Sequence, residues 1–170
     1  MNFIDRALAQ GDAVTEDGFL QAMADIYKEP QVWEELTQYP LYIGDVVYLI
    51  DYDTELQMEG LDAVVTGGQY ERTLQALVNC GASGEAEVLR RAKELSDRDL
   101  DYEDEEAMDA LSRQLALHQD YAGFWDLVRA YIGRERRSGS AGQTGKGEEQ
   151  HGGPQRTPGA GESGVPGPGD

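Results

Sequence analysis

Between Lys28 and Arg72 the chain has neither lysine nor arginine. That interval holds Glu29, Glu34, Glu35, Asp45, Asp51, Asp53, Glu55, Glu59, Asp62 and Glu71. Cysteine is almost missing too. Cys80 stands alone, so no internal disulfide can form and nothing points to an oxidising compartment. No apolar run approaches the roughly 20 residues needed to cross a bilayer. Met1 to Arg6 lacks a basic stretch followed by an apolar core, so no signal peptide is expected. An acidic surface is also repelled by anionic lipid. The expectation is a soluble, cytoplasmic protein that engages no membrane.

The chemistry of catalysis is equally sparse. His118 and His151 are the only histidines, the first near a helix end and the second in the tail. There is no nucleophile elbow, and Thr66-Gly67-Gly68 is too short for a phosphate loop and lacks its lysine. Cys80 beside Gly81 reads as a small buried thiol. Two segments begin like calcium loops. Asp97-Arg98-Asp99-Leu100-Asp101 has Tyr102 at the sixth position and Met108 at the twelfth, where glycine and glutamate belong. Asp51-Tyr52-Asp53-Thr54-Glu55 has Asp62 at the twelfth but Leu56 at the sixth. Neither is expected to bind metal. No enzyme activity and no cofactor are expected.

What the chain does have is carboxylate. Its net charge is −19 with a pI near 4.3. The tail from 138 to 170 carries Lys146 and Arg156 against Glu148, Glu149, Glu162 and Asp170, so −17 of the total belongs to residues 1–137. A second acidic block, Asp97 to Asp109, sets eight carboxylates against the single Arg98. Charge of this size costs stability through self-repulsion, which makes a basic partner the natural counterpart.

Periodicity predicts an all-α fold, a compact bundle of about six to seven helices. Thr15 followed by Glu16 and Asp17 marks a helix start, and Phe19, Met23, Ile26 and Tyr27 follow at helical spacing. Pro30 separates this helix from a short one carrying Val32, Trp33 and Leu36. From Pro40 to about Val65 a single long helix is predicted, ended by Thr66-Gly67-Gly68. Its packing face is expected to hold Ile43, Val46, Val47, Ile50, Gln57, Leu61 and Val64. Asp51, Glu55, Glu59 and Asp62 fall on another face, within about 80° of one another.

Tyr70, Leu74, Leu77 and Val78 form the next apolar face, closed by Gly81. Ser83 is read as the cap of the helix packing Ala86, Leu89, Ala92 and Leu95. Met108, Leu111 and Leu115 belong to a further helix, and Phe124, Val128, Tyr131 and Ile132 to the last. Trp33, Tyr42, Tyr48, Tyr52, Phe124 and Trp125 are core or dimer-interface candidates. The acidic domain is expected to end near Arg137. Residues 138–170 have no large apolar residue except Val165 and are expected to be a disordered Gly/Pro-rich tail.

Several stretches resemble one known family. Leu41-Tyr42-Ile43-Gly44-Asp45-Val46-Val47-Tyr48-Leu49-Ile50-Asp51 is similar to the long helix of the DNA mimic protein 19-like family. Tyr70-Glu71-Arg72-Thr73-Leu74-Gln75-Ala76-Leu77 before Cys80-Gly81-Ala82 looks like its next helix, and Ala86 to Ala92 like the one after. Where that family has a Glu-x-x-Asn-Gly-Gly-Phe type motif, this chain has Glu55-Leu56-Gln57-Met58-Glu59-Gly60-Leu61, keeping one of the paired glycines. The resemblance runs from about Asp17 to Glu135. It implies an all-α fold, frequent homodimers and, for the characterised member, binding to a transcriptional regulator in place of DNA.

Residues four apart on a helix rise about 6 Å, close to the phosphate spacing along a nucleic-acid strand. Asp51, Glu55, Glu59 and Asp62 therefore form the candidate partner-binding line. Asp97, Asp99, Asp101, Glu103, Asp104, Glu105 and Glu106 are its candidate extension. The plain alternative is a solvated face that keeps an acidic protein soluble. The expected partner is a basic protein, with a DNA-binding regulator as first candidate, and no direct contact with nucleic acid. A basic toxin or enzyme inhibited through the same surface is the second reading, and a metal-dependent enzyme the third.

Overall fold

The computed structural model of the chain describes residues 1–98 and 101–149. The chain divides into two units, Met1–Gly133 and Arg134–Asp170. Asn2 starts the first helix, α1 (Phe3–Ala9): its side chain accepts the Asp5 N–H while Asp5 accepts the Asn2 N–H. α2 (Glu16–Met23) begins as expected at Thr15, whose hydroxyl oxygen accepts the Gly18 N–H at 2.9 Å. Two 3₁₀ segments follow, Ala24–Tyr27 and Pro30–Gln38, the second with Pro30 in its first turn.

The centre of the first unit is α3 (Leu41–Glu59). Six consecutive residues, Tyr42 to Val47, are all buried, so this half of α3 is enclosed on every side. Its partners are mainly α5 (Tyr70–Cys80) and α4 (Leu61–Thr66). Burying Ile43, Val46, Val47 and Leu49 contributes about 1.5–3 kcal/mol each relative to exposure. α6 (Ser83–Ser96) packs on α4, α5 and α7 (Tyr102–Arg113). A four-residue α8 (Ala116–Gln119) leads into α9 (Tyr121–Glu149). No strand occurs among the described residues, and none of their helices is long and apolar enough to cross a membrane.

Five sequence expectations need correction. The predicted helix from Pro40 to Val65 is two helices. Gly60 adopts φ 97°, a conformation that costs any L side chain, and the chain turns there between α3 and α4. Gly60 is thus the glycine that the local backbone requires. Gln57 is exposed, and Tyr52 and Leu56 are buried in its stead, because the core lies on a rotated face of α3. Val78 is 44% exposed, since α5 packs through Thr73, Ala76, Leu77 and Cys80. Ala82 is the residue before α6, and Ser83 makes no side-chain cap. Gly81, with φ 92°, does close α5 in the left-handed conformation. The tail boundary expected at residue 138 falls inside α9, and 150–170 lie outside the described residues. Of the six aromatic candidates, Tyr42, Tyr52, Phe124 and Trp125 are buried, with Trp33 and Tyr48 packed on the core edge.

Two carboxylates, Asp45 from the stretch without lysine or arginine and Glu85 from α6, are internal. Asp45 has no exposed area and accepts bonds from Arg72 Nη1 at 2.5 Å, Tyr131 Oη at 2.6 Å and Asn79 Nδ2 at 3.1 Å. This knot ties α3 to α5 and α9, and it leaves the buried charge paired. Gly44 is part of it, because a Cβ there would lie 2.8 Å from Arg72 Nη2. Arg72 also stacks over Tyr48 at 4.8 Å. Glu85, 4% exposed, accepts the Ala116 N–H at 2.6 Å, the Leu117 N–H at 3.4 Å and the Tyr52 hydroxyl at 2.8 Å. It satisfies the first N–H groups of α8, which is too short to stand alone. Burial raises its carboxyl above the usual glutamate range, against the opposing pull of those donors.

Candidate acidic interface

The second half of α3 carries the candidate line. Asp51, Glu55 and Glu59 recur every fourth residue, so they climb one side of the helix over about 12 Å. Asp51 and Glu55 are half-buried and Glu59 is exposed. Burial, then the neighbouring Asp51 and Glu59 charges, raise the Glu55 carboxyl above its ordinary value. The three groups therefore feel one another. Asp51 accepts the Tyr27 hydroxyl at 2.8 Å. Burial, with Asp51 adding to it, pushes the Tyr27 phenol up to about 12, so it remains a donor.

Asp62 stands on α4, beyond the turn at Gly60, and does not continue the α3 repeat. It is nonetheless joined to the second block. Its carboxylate accepts the Ser96 hydroxyl at 3.1 Å, next to Asp97 at the end of α6. Asp97 pairs with Lys93 at 3.0 Å. Asp101 caps α7: it accepts the Asp104 N–H, while Asp104 accepts the Asp101 N–H and meets Arg98 at 3.5 Å. Asp101 and Asp104 thus shape the helix start as well as adding charge. Glu103, Glu105 and Glu106 are exposed on α7, Glu103 and Glu106 sharing one side. Asp99 lies outside the described residues.

The decisive feature is where the cations sit. Ion pairs among the described residues fall on Asp17, Asp25, Glu29, Asp45, Glu87, Asp97, Asp104 and Asp126. None falls on Asp51, Glu55, Glu59, Asp62, Glu103, Glu105 or Glu106. On the α3 line, carboxylates stand in helical register and no ion pair among the described residues falls on them.

Three contributors were not among the partner-binding candidates read from the sequence. Asp53 points away from the line and accepts the Tyr121 hydroxyl at 2.6 Å, a contact spanning 68 positions. That bond, then burial, raises the Tyr121 phenol. Tyr27 reaches Asp51 from 24 positions away. Met58, 73% exposed, lies seven residues after Asp51 and so shares its side of α3, a relation the helical repeat could have shown. The calcium-like segment from Asp51 forms no coordinating loop, since Asp51 to Glu59 is helical, and the one from Asp97 includes residues 99 and 100, which lie outside the described residues. No group of three or more His, Cys, Asp or Glu side chains among the described residues is arranged to hold a metal ion.

No curated protein matches the chain, and no solved structure does. One family model does match, that of the DMP19-like protein, over residues 37–135, from the end of the second 3₁₀ segment into α9. It takes in the buried Asp45 knot, the turn at Gly60 and the whole α3 line. With more than half of its length so matched, this chain belongs to the DMP19-like protein family.

Proposed function

We propose that this is a non-catalytic acidic binding protein whose α3 line occupies the DNA-binding surface of a basic protein, a transcriptional regulator in the first instance. One observation carries the reading: Asp51, Glu55 and Glu59 stand about 6 Å apart in helical rise, and no ion pair among the described residues falls on them. Duplex DNA is gripped largely through its phosphates, so a basic cleft that accepts a phosphate row also accepts a carboxylate row. Asp62 and the start of α7 extend the negative surface. Family membership supports the reading through the family's name alone.

The test is capture of partners on immobilised full-length protein, with duplex DNA as competitor and salt varied. A DNA-binding protein should be retained, displaced by DNA and released steeply by salt. The combined Asp51→Asn, Glu55→Gln, Glu59→Gln and Asp62→Asn variant should lose it while remaining folded. If that variant retains its partner unchanged, the proposal fails.

Met58 favours a second reading. An exposed thioether amid the carboxylates suits a protein surface with an apolar dent better than a phosphate-binding groove. The same face would then inhibit a basic toxin or enzyme. In that case Met58→Ala weakens binding and duplex DNA does not compete.

A further inference from the structure

We infer that the second half of α3 receives arginine side chains of a basic protein, one on the Tyr27–Asp51 pair and one on the Tyr121–Asp53 pair. Asp51 accepts the Tyr27 hydroxyl at 2.8 Å, and Asp53 accepts the Tyr121 hydroxyl at 2.6 Å. Tyr27 is 48% exposed and Tyr121 51%, so each still offers surface to a partner. Each bond pins a phenol ring beside a carboxylate, which lowers the ordering cost of using that ring in binding. Neither carboxylate is used up. Asp51 has no other hydrogen bond among the described residues, and Asp53 takes only one more, from Gln57 Nε2 at 3.3 Å.

The fold contains one finished example of what such a pair holds. Arg72 meets Asp45 at 2.5 Å and stacks over the Tyr48 ring at 4.8 Å, so a carboxylate and an aromatic face grip one guanidinium. A guanidinium suits both contacts at once, because it turns its N–H fork to the carboxylate and its flat face to the ring. A lysine ammonium has neither fork nor plane. The Tyr27 and Tyr121 pairs present the same two components, and no cation of this chain completes them among the described residues. Ion pairs there avoid Asp51 and Asp53, and the cation–ring contacts fall on Tyr48 and Tyr70.

Asp51 and Asp53 are two residues apart, about 160° around the helix, which sets the two pairs on opposite flanks of α3. Ile50, Thr54 and the exposed Met58 fall in the arc between them. A small apolar ridge bracketed by two tyrosines has the make-up of an interface centre, where tyrosine, methionine and arginine concentrate. The occupant that fits is therefore an arginine-bearing face with the ridge between its cations. This inference rests on the reading of α3 as the surface that receives a basic protein, and it names the side chain received.

Two peptides of equal charge, octa-arginine and octalysine, test it on the full chain by calorimetric titration at physiological salt. The wild type should hold octa-arginine roughly tenfold more tightly than octalysine. Tyr27→Leu combined with Tyr121→Leu should bring that ratio toward unity by weakening octa-arginine alone, whereas a merely structural role would weaken both peptides alike. Should the double variant fail to fold, the ring proton resonances of Tyr27 and Tyr121 in the wild type give the readout, and octa-arginine should shift them more than octalysine does. Equal affinity of the wild type for the two peptides overturns the inference. So does a ratio that the folded leucine variant keeps, or rings that octa-arginine leaves unmoved. Equal binding of both peptides leaves the wider reading of an acidic binding face standing, while failure of both to bind overturns that reading as well.

Discussion

Neutralising Asp51, Glu55 and Glu59 with Asn and Gln should make the free protein more stable while abolishing its binding. The three carboxylates sit at two successive four-residue intervals on α3. Like charges at that spacing destabilise a helix by about 0.2–0.5 kcal/mol per pair, so two pairs cost about 0.4–1 kcal/mol. Glu55 adds to this, because its half-buried carboxyl is raised by desolvation and by both neighbours. Asn at 51 keeps an oxygen for the Tyr27 hydroxyl, so little is lost. The expected gain is about 1 kcal/mol, or roughly 3 °C in melting temperature for a domain of this size. Urea unfolding at pH 7 and low salt measures it, with an unchanged slope.

Two controls follow from the physics. The gain should shrink in high salt as the charges are screened. It should also shrink on acidification. A carboxyl whose folded value is raised carries its penalty above that value and sheds it as pH falls through it. A loss of more than about 1 kcal/mol would refute the reasoning, since it would mean these carboxylates hold the fold together.

Arg72→Met should cost about 3–5 kcal/mol in urea unfolding, because it strands the fully buried Asp45 charge; a cost below about 1 kcal/mol would show that Tyr131 and Asn79 suffice. Gly60→Ala should cost about 1–2 kcal/mol through its positive φ alone, and no loss would mean the α3–α4 turn readily relaxes. Glu85→Ala should cost about 2–4 kcal/mol by leaving the Ala116 and Leu117 N–H groups without their acceptor, whereas Glu85→Gln keeps one acceptor oxygen, turns an NH2 toward the other N–H and should cost about 1–2 kcal/mol at pH 7. Because the Glu85 carboxyl is raised, the penalty of its ionised form is present at pH 7 and fades as pH falls through its folded value. The wild type should therefore gain on the Gln variant on acidification, and a gap independent of pH would contradict the assignment.

The helices themselves were legible in the chain because their causes are local. The Thr15 cap, Pro30, the left-handed Gly81 and the apolar repeat all act within a turn or two of their own position. So does the four-residue repeat of Asp51, Glu55 and Glu59, which is why that line survives in three dimensions. Gly60 lies within the stretch predicted as one helix, and whether a glycine there is carried along or breaks the helix depends on what packs on either side.

Which carboxylates belong to the surface was decided only by tertiary structure. Asp45 and Asp51 look alike in sequence, six positions apart in a stretch without lysine or arginine. One is enclosed by Arg72, Asn79 and Tyr131, and the other is bonded by an exposed tyrosine at the edge of an uncompensated row. The sequence alone determined that this protein is helical, strongly acidic and bears one regular line of carboxylates. The fold determined which charges are cancelled, because cancellation depends on distances of a few ångströms between residues tens of positions apart.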